Sequence, residues 1–295
     1  VFAGTPQAGV AFSHLPTNGR ETAIARAVAM AKAAPEDPYS ALAERERLET
    51  APPEIQLFDD THWTPADLEA TANDIEKIAR GVDGVTMTES SFASTGTGGA
   101  AYATSTGFNK GWHKSIFSYG ISVIAERDGA MERDYAATGA RRPADLRSIE
   151  EIGVEAGEQV VRRLGPTKIP SATLPVVFDR KVATTFMGAM CGAISGPAVA
   201  RGVSFLREKL GEQVFSSDIN IIDDPHRDWG HASSPFDGEG TRNSRSNLIE
   251  NGRLITWLMN SASARQLDMA PTGHARRNMG GPPGAGPTNL HMEAG

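Results

Sequence analysis

The sequence predicts an α+β protein of two domains, with N-terminal helices and strands followed by a C-terminal domain rich in antiparallel strands. Helical spacing of apolar residues and runs of strand-like residues both occur, and turn signals at 128–129 and 251–252 join consecutive strand patterns. The 31 glycines and 18 prolines supply the turns that a strand-rich chain needs. A proline-containing linker at 168–175 is predicted to separate domain 1–167 from domain 168–295.

The N-terminal part begins with three weaker patterns. Residues 1–15 alternate loosely between apolar and polar residues and predict a strand. Residues 20–34 are rich in alanine, with apolar residues at helical spacing, and predict a helix. Residues 39–48 predict a second, short helix.

Two capping boxes predict where the longer helices begin. Thr64 is paired with Asp67, and Ser148 with Glu151, so each cap residue has an acidic residue three positions later. Apolar residues at helical spacing follow both boxes, and Gly81 ends the first of these helices.

Strand patterns occupy residues 85–135. Asp128 and Gly129 supply the turn of a hairpin over 121–135, because both can adopt positive φ. The glycine-rich segment 94–99 lacks the Gly-Lys-Ser/Thr of a phosphate loop, and no helix pattern follows it. We interpret it as a β-turn or flexible loop.

The C-terminal part predicts short strands around one helical region. Strands are predicted at 176–178 and 219–222, and a buried apolar helical region at 180–200. An Asn-Gly turn predicts a second hairpin over 247–260, whose edge strand is a candidate for binding an extended peptide by strand addition.

Composition argues against several classes of partner. The formal net charge is −7 and no run of Lys and Arg exceeds two residues, which argues against nucleic acid. No apolar run approaches the roughly 20 residues of a membrane span.

The single cysteine, Cys191, fits a reducing compartment, so we predict the cytoplasm. Because it lies in an apolar helix pattern, we interpret it as a small hydrophobic residue. The strand-like start at Val1 and the unterminated end at Gly295 predict sequence missing at both ends.

The segment 233–240, which reads SSPFDGEG, is the first candidate site. Its glycines, among them Gly240, let a ligand approach the backbone closely, and the carboxylates of Asp237 and Glu239 can hold an amine or a basic side chain. The alternative is a tight loop in which the glycines serve only the turn geometry. Both interpretations stay open.

A second candidate segment supplies hydrogen-bond donors. Its candidates for substrate binding are Thr272, Gly273, His274 and Arg276. They can hold a substrate carboxylate or carbonyl, with Arg276 in a bidentate mode. The alternative is that Arg276 and Arg277 form surface ion pairs with nearby acids, which contribute little.

Acids and histidines are also concentrated over residues 223–239. They are Asp223, Asp224, His226, His231, Asp237 and Glu239. Such ligands suit zinc or manganese, so a self-sufficient metallohydrolase is one alternative. Their spacing matches no metal-ligand motif, however, and Pro225, Gly230 and Pro235 mark a loop, so we favour solvated or turn-capping side chains. We assign no catalytic residue and no metal ligand in this chain.

Eight segments, taken in order and spacing, carry a resemblance to a known family. They are 168–178, 204–213, 224–226, 233–240, 248–252, 263–265, 272–274 and 288–290. Together they resemble the PmbA branch, also called TldE, of the TldD/PmbA family of metallopeptidases, and a weaker likeness continues N-terminally.

The resemblance implies a two-part peptidase. In that family a TldD-like chain carries zinc on a His-Glu-x-x-x-His helix, and the pair cleaves unfolded peptides, including in peptide maturation. Here the corresponding segment 187–196 holds neither histidine nor acid, and zinc needs imidazole, thiolate or carboxylate ligands. We therefore expect zinc in the partner and none in this chain, which would shape the substrate channel as part of a heterodimer or by self-association. The family's older name, a modulator of DNA gyrase, leaves a non-enzymatic interaction protein as a further alternative.

Overall fold

The structure, a computed structural model, describes residues 1–14, 19–277 and 281–293. The helices are α1 (Arg20–Ala33), α2 (Pro65–Arg80), α3 (Ile149–Arg163), α4 (Arg180–Ala193), α5 (Gly196–Ala200) and α6 (Ser261–Gln266). The strands are β1 (Val85–Ala103), β2 (Asn109–Arg127), β3 (Ala130–Ala140), β4 (Ile221–Asp223), β5 (Ser246–Glu250), β6 (Arg253–Leu254), β7 (Ala275–Arg276), β8 (Gly284–Ala285) and β9 (Leu290–Met292). The predicted α+β class is confirmed, and the domain limits 1–167 and 168–295 stay a prediction.

The N-terminal half is an antiparallel sheet with helices packed against it. Its strands lie in the order β1-β2-β3, and α2 and α3 contact both the sheet and each other. Side chains from the helices and the sheet form one core that includes Ile75, Ile121, Val123, Ile152 and Val160. Burial of these apolar faces holds the sheet and the helices together.

Both predicted capping boxes are confirmed. The Thr64 hydroxyl accepts from the backbone N–H of Asp67, whose carboxylate accepts from the backbone N–H of Thr64. Ser148 and Glu151 repeat this reciprocal pair at the start of α3. Each box satisfies two backbone donors that a helix start would otherwise leave unpaired.

One predicted turn of this sheet is confirmed, and the predicted turn or loop at 94–99 is wrong. The short turn between β2 and β3 is as predicted, with φ of 53° at Asp128 and 78° at Gly129. The segment 94–99, in contrast, is no turn, since it lies inside the long strand β1. Glycine at position 99 lets β1 and β2 approach closely, because a Cβ there would lie 2.8 Å from the carbonyl oxygen of Trp112.

The C-terminal half contains an antiparallel sheet in the order β6-β5-β4-β9. Its turn at Asn251 and Gly252 is as predicted, with φ of 48° and 75°. The hairpin predicted over 247–260 is much shorter than expected, because β6 is only two residues long. Its outer edge already bonds to the chain itself, at Gly211 and Glu212, so it has little room for an added strand.

Two N-terminal expectations are wrong. Residues 1–14 form a single bridge, between Phe2 and Gln7, and no strand; residue 15 lies outside the described residues. The predicted helix over 39–48 is only a 3₁₀ turn at Arg45–Arg47. A helix is prevented because the backbone after this turn pairs with the C-terminal domain, through the bridge between Leu48 and Thr241.

The expectations for 176–178 and 180–200 are partly wrong. Residues 176–178 form no strand and pair with none in the described chain. The helical prediction is confirmed by α4 and α5. The predicted burial holds from Met190 through α5, and it fails for the first part of α4, where Val182 and Phe186 are exposed. We call the exposed group that results the apolar surface, and its members are Leu174, Val176, Val177, Phe178, Val182 and Phe186.

The β1–β2 hairpin extends beyond its own core and packs against the C-terminal half through aromatic contacts. Phe236, which is buried, lies edge-on to the rings of Phe108 and Trp112, with centroids 5.1 and 5.0 Å away. Edge-to-face aromatic pairs of this kind contribute about 0.5–1.5 kcal/mol each beyond their buried area. The hairpin tip is therefore held in a defined position over the C-terminal loops.

Arg141, directly after β3, is a second connection between the two halves. It is buried, and its guanidinium donates to the carbonyl oxygens of Ser115, Gly230 and His231. Burial lowers the pKa of this arginine. Its acceptors are backbone carbonyls from both sides of the interface, so it acts as a clamp.

We expect Arg141→Met to lower the free energy of unfolding by about 2–4 kcal/mol, because carbonyl acceptors are left buried without a donor. Urea denaturation measures this effect. The control is Arg133→Met, which removes an exposed ion pair with Glu89 and should change stability by less than about 1 kcal/mol. Equal effects of the two substitutions would contradict the clamp.

Candidate functional site

Asp237 organises the loop 233–240 from within. One of its carboxylate oxygens accepts from the backbone N–H groups of Glu239 and Thr241, both at 2.9 Å, and the other from that of Ala275 at 3.1 Å. Burial raises the pKa of Asp237, while these hydrogen bonds oppose the shift. The carboxylate that the sequence offered as a ligand group is therefore occupied by the protein's own backbone.

Glu239 connects the same loop to α6. Its Oε2 accepts from the backbone N–H of Ser261 at 2.8 Å, and burial raises the pKa of this carboxyl. The side chain also lines a cavity of about 720 Å³, together with Tyr102, Arg277 and part of the N-terminal segment 1–12. Glu239 is thus the predicted site residue that combines a buried carboxyl with a large open space.

The glycines of both candidate segments serve close packing. Gly240 has φ of 79°, and a Cβ there would lie 2.9 Å from the ring of Phe108. Gly273 has φ of 72°, and its Cβ would lie 2.4 Å from the carbonyl oxygen of Arg242. Both positions require glycine for conformation and for space.

Thr272 and His274 belong to a buried polar network. Nδ1 of His274 lies 2.8 Å from the Thr272 hydroxyl, and its Nε2 lies 3.3 Å from Oδ2 of Asp223. The carboxylate of Asp223 also accepts from the backbone N–H and the hydroxyl of Thr288. The Thr272 oxygen accepts from the backbone N–H of Met259, so this network ties neighbouring loops to the sheet.

Arg276 points into a second cavity, of about 460 Å³, between the hairpin and the C-terminal loops. Lys114 and Trp112 of β2 line the same cavity. Sequence reasoning missed Lys114, which lies far from the C-terminal segments along the chain. Its only sequence signal is its position two residues after Trp112, on the same face of β2.

The acids and histidines of 223–239 disperse into separate contacts. Asp224 accepts from the backbone of His226, whose ring bonds to Asn243, and the ring of His231 bonds to the carbonyl oxygen of Gly139. Within 1–14, 19–277 and 281–293, no three His, Cys, Asp or Glu side chains are grouped as metal ligands. The geometry therefore gives the metallohydrolase alternative no support.

A membrane span can be checked on the same described residues. Among them, no helix combines the length and the apolar character that crossing a bilayer requires.

Each half of the fold matches one domain of a metallopeptidase family. Residues 58–164 match the family model described as the PmbA/TldA metallopeptidase central domain, and residues 171–295 match the one described as its C-terminal domain. The chain belongs to the PmbA/TldE family. The resemblance found in the sequence is thereby confirmed.

Relatives of known name agree with this assignment. The chain is 36% identical to the metalloprotease PmbA of Escherichia coli over 240 residues, which cover 81% of this chain and 53% of that protein. It is 32% identical to the PmbA homologue of Haemophilus influenzae, over 93% of this chain and 61% of that protein. The chain thus spans roughly half to three fifths of the length of these relatives.

Two solved structures share the fold. One is a Bacteroides thetaiotaomicron protein described as a proposed modulator of DNA gyrase, with a TM-score of 0.87, 24% identity, and coverage of 99% of this chain and 65% of that chain. The other is TldE of Thermococcus kodakarensis, with a TM-score of 0.76, 19% identity, and coverage of 97% and 64%. At this identity the likeness concerns the fold.

Glu239 gives the site a pH dependence with a definite sign. Its pKa is raised above the ordinary 4.5, so its contribution to stability is present below pH 4.5 and is lost as pH rises through the raised value. We expect Glu239→Gln to match the wild type below pH 4.5 and to be more stable at pH 8, because the amide oxygen still accepts from Ser261.

Urea denaturation at several pH values measures this difference. Glu54→Gln, which changes an exposed carboxylate, is the control and should leave the pH profile unchanged. A Gln variant that is less stable than the wild type at pH 8 would show that the charge of Glu239 is needed by a neighbouring cation.

Proposed function

We propose that this chain is the subunit without a zinc site in a cytoplasmic zinc-dependent peptidase. In this proposal it docks onto a TldD-like chain, which supplies the zinc and the general base, and it shapes the channel for an unfolded peptide. The observation that carries the proposal is the apolar surface, which lies on and just before α4. By the resemblance, α4 corresponds to the helix that carries zinc in a TldD-like chain.

The composition of α4 supports a role without zinc. Segment 187–196 contains no histidine and no acid, and Cys191 is its single potential ligand. Burial raises the pKa of the Cys191 thiol to about 12, whereas zinc is bound by the thiolate. A hydrolytic centre in the assembly would then have to come from another chain.

The apolar surface supports docking. Val177 is 96% exposed and Phe186 is 52% exposed, and the rings of Phe178 and Phe186 pack on each other 4.5 Å apart. Burying one such side chain contributes roughly 1.5–3 kcal/mol. Ion pairs of Arg180 with Glu155 and of Lys181 with Asp134 connect the start of α4 to α3 and β3, so this end of the surface is attached to the N-terminal half.

The free edge of β1 supports peptide binding by strand addition. β1 is the edge strand of its sheet, and in the described chain no other strand pairs with its outer side. Its residues 97–101 are small and exposed, so that a peptide backbone can approach them closely. This edge takes the place of the hairpin 247–260, whose outer side is occupied by the chain itself.

Reconstitution tests the proposed function. We expect an unfolded peptide to be cleaved when this chain is mixed with a TldD-like chain, not by this chain alone, and not after addition of a chelator. Product formation is followed by mass spectrometry. Cleavage by this chain alone would favour a self-sufficient hydrolase, and an unchanged rate on adding it to the TldD-like chain would contradict the proposal.

Substitution of the apolar surface tests the docking step. We expect Phe186→Asp to weaken association with the TldD-like chain at least about tenfold, because a charge would have to be buried at the interface. Analytical ultracentrifugation measures the association, and of the isolated chain also any self-association. Met87→Asp is the matched control, since Met87 is equally exposed but lies on β1.

Co-purification from the native host tests the remaining alternative, a non-enzymatic interaction protein. Recovery of this chain from its host with gyrase and without a TldD-like chain would support a non-enzymatic interaction protein. Equal binding of both Asp variants to the TldD-like chain would show that the apolar surface is not the docking site.

A further inference from the structure

The cavity beside Arg276 contains more positive charge than its surroundings neutralise. Lys114, Arg276 and Arg277 line it, and Asp237 is the one carboxylate among its described lining residues. As shown above, the oxygens of Asp237 accept from three backbone N–H groups. The one carboxylate that lines the cavity in the described chain is therefore already engaged by the backbone.

Lys114 lies among other cations. Burial lowers the pKa of Lys114, and the positive charges of Arg141 and Arg276 lower it further. No ion pair of Lys114 is formed with any residue that the structure describes. Placing like charges together in a partly buried site destabilises the fold, so a ligand anion would relieve this repulsion.

Arg276 is likewise without a hydrogen-bonded acid in the described chain. Burial lowers the pKa of Arg276, and the charges of Asp223 and Asp237 oppose this shift by electrostatic attraction without a hydrogen bond. Arg277, in contrast, is engaged, because it donates to the carbonyl oxygen of Gly238 and stacks over the ring of Tyr102 at 4.8 Å. Lys114 and Arg276 are thus the two cations with donors to spare.

The walls of the cavity include an aromatic side chain and several small residues. Trp112 and Lys114 share one face of β2, and their partners on β1 are Ala100 and Gly98. A Cβ at Gly98 would meet nothing within 4 Å, so the strand position opposite Lys114 leaves open space beside this lysine. The ligand that fits is an anionic group attached to an apolar body, close to the free edge of β1.

We propose that this cavity binds the C-terminal carboxylate of a peptide, with Lys114 and Arg276 holding the anion and Trp112 beside the last side chain. The proposal deepens the proposed function and rests on it, since it supposes that the chain holds peptides along β1. Charge-assisted hydrogen bonds to a carboxylate from a lysine and a forked guanidinium are the contacts expected to be strongest here. The cavity would set where along the channel a peptide ends.

Direct binding to the whole chain tests this site. Isothermal titration calorimetry measures the affinity of the chain for acetyl-Ala-Ala-Phe as the free acid and for the same peptide as the C-terminal amide. We expect the acid to bind at least about tenfold more tightly, because the amide loses the charge-assisted contacts. Equal affinities would overturn the proposal.

Two further ligands distinguish other sources of the anion. An amidated acetyl-Ala-Asp-Phe carries its carboxylate on a side chain, and inorganic phosphate carries an anion without a peptide. We expect both to bind at least about tenfold more weakly than the free acid, because neither places a carboxylate beside Trp112 at a chain end. Binding of either one as tight as that of the acid would overturn the C-terminal assignment.

Variants assign the site to its residues. Lys114→Met and Arg276→Gln should each reduce the affinity for the free acid about tenfold or more, whereas Lys110→Met, on the same strand but outside the cavity, should not. Thermal unfolding of Lys114→Met should show no loss of stability, since the substitution relieves repulsion between cations. Wild-type affinity in both cavity variants would overturn the proposal.

The two proposals fail separately. Selective binding of the free acid combined with no cleavage by the reconstituted pair would leave the anion site standing and contradict the peptidase function. Cleavage by the pair combined with equal binding of acid and amide would do the reverse.

Discussion

The insertion of Phe236 between the rings of Phe108 and Trp112 is the contact on which the arrangement of this molecule depends. The outer part of the β1–β2 hairpin pairs with no third strand among the described residues, so its position depends on what it packs against. The aromatic contact supplies that support, and the Arg141 clamp holds the base of the same interface. Tyr102 of this hairpin lines both cavities, so the fixed position of the tip helps to define both.

The polar residues near this contact serve the fold more than chemistry. Asp237 satisfies three backbone donors, and Asp223 joins His274 and Thr288 in a network that is almost fully buried. Buried loops need such partners, because an unpaired backbone group costs as much as a lost hydrogen bond. What is left for ligands is the surface of the two cavities, where Glu239 and Arg276 lie.

Helix α4 experiences two environments along its length. Its second half, with Met190 and Cys191, packs into the C-terminal core, whereas Val182 and Phe186 lie on the exposed apolar surface. An apolar helix face is stable in water only to the extent that something covers it. The assembly proposed for this family member follows from that imbalance and from the missing zinc ligands in the same helix.

The sequence by itself determined the starts of the two longer capped helices, the hairpin turns and the family. The capping boxes, the turn at 251–252 and the ordered segments were readable because each depends on residues close together in the chain. The tertiary structure alone decided that 94–99 is strand, that the first half of α4 is exposed, and that Lys114 and Arg276 line the same cavity. These outcomes depend on which distant segments come into contact. Hydrophobic burial is non-directional, so an apolar pattern in one segment does not specify which other segment will cover it.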